Sequence, residues 1–123
     1  DWATVDADGT VVLLGRGSQC INTGGEKVYP EEVEEALKLH PSIHDAAVVG
    51  VPDERFGQAI TAVVQLEPGS ACSEADLIAH IKARLASYKA PRHVLVVDAL
   101  GRQANGKLDY QRHAEFARRS LGL

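Results

Sequence analysis

Near the carboxy end of the chain, Gly101-Arg102-Gln103-Ala104-Asn105-Gly106-Lys107 places a lysine directly after a glycine in a polar loop. Glycine and asparagine beside a lysine make a mobile arm, which can carry one positive charge to a phosphate. By spacing alone this signal is weak, and a solvated surface charge is the stronger reading. Arg16 beside Gly15 and the Gly24-Gly25 pair are open to the same two readings. No Gly-x-x-x-x-Gly-Lys-Ser/Thr run is present, so these glycines form no phosphate cradle by spacing. His40, His44, His80, His93 and His113 lack metal-ligand spacing on any one element and read as surface or boundary residues. Glu31, Glu32, Glu34 and Glu35 read as a solvated helix face rather than a general-acid pair. Cys20 and Cys72 form no Cys-x-x-Cys and read as free thiols. No Ser-His-Asp or Cys-His set follows from spacing, so local chemistry alone identifies no reaction.

The elements that must position these residues follow from periodicity. Asp8-Gly9 before Thr10 to Leu14 predicts an opening hairpin, and Gly15 to Gln19 a flexible boundary or hinge. Cys20 to Thr23 and Lys27 to Tyr29 read as short extended pieces around Gly24-Gly25, a pair that requires positive φ or close backbone approach. Pro30 suits the first position of a helix whose apolar stripe is Val33, Ala36 and Leu37, ending near His40-Pro41. Asp45 to Val51 and Ala59 to Leu66 are nearly continuous apolar runs, expected as central strands covered on both faces and joined by a loop at 52–57. Ser73 and Asp76 resemble a capping box for a helix from about Ser73 to Ser87. Val94 to Val97 reads as a third strand, and Asp109 as the cap of a last helix with Tyr110, Ala114, Ala117 and Leu121 inward. The expected fold is a small α+β domain with helices packed on about three central strands and a hinge hairpin at the amino end.

Composition bounds the function. The 123 residues are 45% hydrophobic and allow one domain, with about two-thirds of its surface buried on folding. Seventeen acidic against thirteen basic residues give a formal charge of −4, the wrong sign for a generic nucleic-acid binder. The sequence has neither an apolar run long enough to span a membrane nor a signal-peptide pattern, which predicts a cytoplasmic protein. The chain contains no Met and opens inside a polar stretch, so it is expected to be part of something longer.

Four motifs in order cover essentially the whole chain: GRGSQCINTGGEKVYPEEVE (Gly15 to Glu34), VPDERFGQ (Val51 to Gln58), YKAPR (Tyr88 to Arg92) and NGKLD (Asn105 to Asp109). Together they resemble the carboxy-terminal domain of adenylate-forming enzymes, and closely that of acyl-CoA synthetases. The resemblance implies a small domain that rotates between an adenylating and a thioester-forming pose on a large amino-terminal domain. It implies residues 1–17 as the end of that large domain with the linker, and 18–123 as the lid. Lys107 matches the mobile lysine that bridges the substrate carboxylate and the ATP α-phosphate. A preorganised cation there contributes on the order of 10²- to 10³-fold in rate.

Asp1 matches an aspartate that holds the ribose hydroxyls of ATP, with a merely terminal residue as the alternative, and Arg16 an arginine supporting the same nucleotide. Gly24 and Gly25 would line a pantetheine tunnel. Phe56, Tyr88 and Arg92 would meet the CoA nucleotide, against the alternative that the two rings are half-buried loop anchors. Ser18 and Gln19 occupy the hinge, where many relatives carry charges. The implied substrates are ATP with Mg2+ (held mainly by the amino-terminal domain), CoA and a carboxylic acid, with a fatty acid as the family expectation. The implied partner is the chain's own adenylation domain. Two alternatives stand beside this reading: an adenylation domain or acyl-AMP ligase loading a carrier protein, and a non-catalytic α+β dimerisation or ligand-sensing module.

Overall fold

In a computed structural model of the chain, residues 20–104 and 106–123 are described. The predicted opening hairpin, the boundary segment Gly15 to Gln19, and with them Asp1, Arg16, Ser18 and Gln19, lie outside the described residues.

The α+β expectation holds. The element order is β1 (Ile21–Thr23), β2 (Glu26–Val28), α1 (Pro30–Lys38), β3 (Ile43–Asp53), β4 (Gly57–Leu66), α2 (Glu74–Lys82), a 3-10 turn (Ser87–Lys89), β5 (His93–Val97) and α3 (Tyr110–Leu121). All five strands join one sheet. β4 is its axis: β3 pairs antiparallel along one edge, from Asp53 opposite Gly57 to Ile43 opposite Leu66. On the other edge β5 runs parallel to β4, with His93 beside Thr61 and Val97 beside Gln65. The short antiparallel pair β1–β2 meets that same edge at the start of β4, through Thr23 and Gly57.

Alternation along β3 and β4 sorts the apolar runs onto two faces. Ile43, Ala46 and Val48 with Ile60, Ala62 and Val64 pack beneath α1 and α2, joined by Val33, Leu37, Leu77 and Ile81. Ala47, Val49 and Val51 with Ala59 and Val63 face the other way, toward Leu100, Leu108, Tyr110 and Ala117. Both faces are covered, which is why these runs carry so little polar interruption. Among the described residues β3 is nevertheless an edge strand rather than a central one, since β4 is its single partner there.

Capping fixes the helix starts as the sequence predicts. Pro30 occupies the first turn of α1. Ser73 Oγ accepts from the Asp76 amide at 3.0 Å, and Asp109 Oδ1 from the Arg112 amide at 3.1 Å. Three boundaries differ. α2 stops at Lys82 instead of near Ser87, and the chain tightens into the 3-10 turn before Ala90 and Pro91. Beyond α2, Leu85 still packs on the core although it is no longer helical, so the i+4 steps from Leu77 through Ile81 to Leu85 run past the end of the helix. The expected loop at 52–57 is only Glu54-Arg55-Phe56, because β3 and β4 stay paired up to Asp53 and Gly57. Pro52 is tolerated on this edge strand. Finally, the second extended piece is Glu26–Val28 rather than Lys27 to Tyr29.

Candidate functional site

Two groups of predicted site residues lie at opposite ends of β4. At its start, Gly24 and Gly25 form the two-residue connection of β1 and β2, with φ of +60° and +87°. Positive φ at both central positions suits the tight hairpin turn that matches strand twist, and it favours glycine. The Gly24 amide donates to the Phe56 carbonyl at 2.9 Å, and a Cβ on Gly24 would lie 3.3 Å from Phe56 Cδ1. Both requirements read from the glycine pair, positive φ and close approach, are met at Gly24.

Phe56 belongs to the three-residue turn between β3 and β4. Asp53 Oδ1 accepts from the amides of Phe56 at 2.9 Å and Arg55 at 2.8 Å, fixing that turn. These bonds, the Phe56 amide first, hold the Asp53 carboxyl below its ordinary range. The Arg92 guanidinium carbon lies 3.8 Å from the Phe56 ring centroid, and that of Arg55 5.3 Å away. Arg92 is brought there by the bond from its amide to the Ile60 carbonyl at 2.8 Å, which docks the YKAPR segment along β4. Thr23, Gly24, Phe56, Tyr88 and Arg92 thus border one open cleft of about 430 Å³, with Lys82 of α2 on its rim. The four predicted residues come together here; Gly25 stands beside the cleft without lining it. An aromatic face with a stacked guanidinium and a second cation suits a planar ring carrying phosphates. Glu26 is the acid on its border. Lys82 was not singled out from sequence, because one lysine in the last turn of a helix carries no signal of a cleft.

At the far end of β4, Lys107 is exposed on the loop between β5 and α3. The loop is not the unbraced arm that its composition suggests. Gly106 donates to the Gln103 carbonyl at 2.8 Å, and Gln103 to the Lys107 carbonyl at 2.9 Å. The Leu100 amide reaches Gln65 Oε1 at 3.3 Å, and Arg102 grips Asp45, the cross-strand neighbour of Gln65. The eight residue steps from Gly57 to Gln65 place this loop about 26 Å from the Gly24–Phe56 end at 3.3 Å per residue.

Between α1, β3 and α3 lies a polar cluster that corrects two sequence expectations. Glu34 is buried, 5% exposed, and does not belong to the solvated face of α1. Its Oε2 accepts from the Val48 amide at 2.9 Å and its Oε1 from the Tyr110 hydroxyl at 2.9 Å. Burial is the largest influence on its carboxyl and pushes it up to about 7, against those two hydrogen bonds; the Glu31 charge adds to the rise. Tyr110 is raised as well, by burial and then by Glu34, so it keeps its proton and donates. Glu31 Oε1 is buried nearby without a hydrogen-bond partner. His113, expected at the surface or a boundary, is also buried, and burial drives its pKa down while a bond to the Leu100 backbone opposes that. Glu34 lies one turn from Pro30 on α1, so the helical stripe could have flagged it only if α3 were known to cover that face.

Cys20 and Cys72 are free thiols, and burial raises both. Among the described residues no three His, Cys, Asp or Glu side chains converge to hold a metal ion, and no helix is long and apolar enough to cross a membrane.

Comparison with known proteins gives the same assignment from independent directions. Residues 32–107 match the family described as AMP-binding enzyme C-terminal domain. The chain is 56% identical over 111 residues to a 3-oxocholest-4-en-26-oate–CoA ligase of Rhodococcus rhodochrous, a match covering 90% of this chain and 20% of that protein. It is also 56% identical over 111 residues to a medium/long-chain-fatty-acid–CoA/3-oxocholest-4-en-26-oate–CoA ligase of Mycobacterium tuberculosis, with the same coverage. A crystal structure of an acyl-CoA synthetase from Brucella canis superposes with a TM-score of 0.80 at 30% identity, covering 97% of this chain and 22% of that one. The chain therefore spans about one fifth of the length of the curated relatives it matches.

Proposed function

Since the chain belongs to the AMP-binding enzyme C-terminal domain family, we propose that it is the moving domain of an ATP-dependent acyl-CoA ligase, with residues 18–123 as the lid and 1–17 as the end of the adenylation domain with the linker to the hinge. The parent reaction has two steps. A carboxylate oxygen attacks the ATP α-phosphorus and pyrophosphate leaves, giving an acyl-adenylate. The CoA thiol then attacks the acyl carbonyl and AMP leaves. Lys107 serves the first step by presenting its ammonium where charge is shared between the carboxylate and the α-phosphate. Asp1 and Arg16 hold the ribose side of the same nucleotide. The Mg2+ that accompanies ATP would be held mainly by the amino-terminal domain.

Gly24 and Gly25 serve the second step: a backbone without side chains leaves room for the pantetheine arm. Phe56, Tyr88 and Arg92 receive the CoA nucleotide, the ring by stacking and the phosphates by charge. The separation of Lys107 from the Gly24–Phe56 cleft by the length of β4 carries this reading. One compact domain cannot present both ends to one acyl group at once, so it must turn between steps, about Ser18 and Gln19. The carboxylic acid is a medium- or long-chain fatty acid or a sterol-derived acid, in line with the names of the ligases it is similar to.

The test is acceptor choice by the full-length enzyme. Given ATP and a fatty acid, it should form acyl-CoA from free CoA at least tenfold faster than it loads a carrier protein's phosphopantetheine. Preference for the carrier would replace the ligase reading with the carrier-loading one.

A further inference from the structure

The Lys107 loop is tied to the sheet by contacts that none of the roles above uses. Arg102 donates from Nε to Asp45 Oδ2 and from Nη2 to Asp45 Oδ1, both at 2.7 Å. Its third arm, Nη1, donates to the Gly106 carbonyl at 2.7 Å. Gly106 immediately precedes Lys107, so one planar guanidinium links the lysine's own peptide unit to β3. Asp45 is itself held, accepting from the Ala46 amide at 2.9 Å on a strand paired with Gln65. A two-pronged carboxylate contact with a third bond at a fixed angle sets direction as well as distance, which an ammonium could not reproduce.

We infer that Arg102 is a positioning residue for the adenylation step: the Asp45–Arg102–Gly106 brace sets the direction in which Lys107 leaves the loop. The inference rests on the reading of Lys107 as the cation of that step. A solvated loop lysine would sample many directions, whereas effective charge stabilisation requires one that is fixed beforehand. Displacing a catalytic group by about 1 Å costs on the order of 10²-fold.

The experiment measures both half-reactions of the full-length enzyme separately: adenylation by fatty-acid-dependent exchange of labelled pyrophosphate into ATP, and thioester formation from supplied acyl-adenylate and CoA. Arg102→Met should lower kcat for adenylation about 10- to 100-fold, leave KM for ATP within about threefold, and leave thioester formation within about twofold. Arg102→Lys, which keeps the ion pair but cannot also reach Gly106, should fall between. Asp45→Asn should reproduce the Arg102→Met pattern and stands in for it if that variant does not fold. Unchanged adenylation kcat in Arg102→Met, or parallel loss of both half-reactions, overturns the inference. Lys107→Ala in the same assay separates the two levels. If it abolishes adenylation while Arg102→Met does not, the brace idea fails and the reading of Lys107 stands; if Lys107→Ala adenylates normally, both fall.

Discussion

Replacing Glu34 by glutamine should remove a defined pH dependence from the stability of this domain. Burial raises the Glu34 carboxyl from an ordinary 4.5 to about 7, so between those values the folded chain binds a proton that the unfolded chain has released. Stability then falls as pH rises through that window, because the unfolded state binds fewer protons. The span corresponds to up to roughly 3 kcal/mol at about 1.4 kcal/mol per pH unit. Glutamine has nearly the same shape: its carbonyl can accept from the Val48 amide, and its amide can donate to the Tyr110 oxygen.

At pH 4.5 the variant and the parent chain should therefore be about equally stable, while at pH 8.5 the variant should be the more stable by up to roughly 3 kcal/mol. With a urea m-value of about 2 kcal/mol/M, the gap between their unfolding midpoints should open by about 1.5 M across that range. Urea denaturation followed by circular dichroism at the two pH values reads this directly, and comparison with the variant cancels the titrating groups that do not interact with Glu34. A gap that is the same at both pH values, or a parent chain that gains on the variant as pH rises, would refute the placement of Glu34 as a buried acid.

Other outcomes follow from the same geometry. Leu37, fully buried between α1 and the sheet, should cost about 2–5 kcal/mol when changed to alanine, measurable in the same urea titration. Gly24→Ala forces a side chain into φ +60° and against Phe56; it should lose roughly 1–2 kcal/mol of stability and slow thioester formation more than adenylation in the full-length enzyme. In that enzyme Arg92→Ala should raise KM for CoA about tenfold, a loss of about 1.4 kcal/mol, with pyrophosphate exchange unchanged; an unchanged KM would remove Arg92 from the CoA site and leave it a loop anchor for Phe56.

Much of this organisation is legible in the sequence because it is written in local rules. Ser73 and Asp109 announce their helices through bonds that span three residues, Pro30 announces its own through a fixed φ and the amide proton it lacks, and Gly24-Gly25 announces its turn through φ alone. The long apolar runs announce strands covered twice. Less is legible where the determinant is remote in sequence. Glu34 looks like one of four solvated glutamates until α3, which begins at Tyr110, covers it and supplies a donor. Arg102 looks like a polar loop residue until β3 brings Asp45 beneath it. The parallel seat of β5 on β4, and so the shared cleft of Phe56 and Arg92, likewise depends on a crossover through α2 that no local pattern specifies. The four motifs point to the expected site residues one at a time; the strand order places the described ones at two ends.

The claim that the two ends of β4 serve different steps is tested most directly by Lys107→Ala in the full-length enzyme, with each half-reaction measured alone. Pyrophosphate exchange should fall by at least about 100-fold, while conversion of supplied acyl-adenylate to acyl-CoA should stay within about twofold of the parent enzyme. Equal loss in both half-reactions, or normal pyrophosphate exchange, would contradict the account.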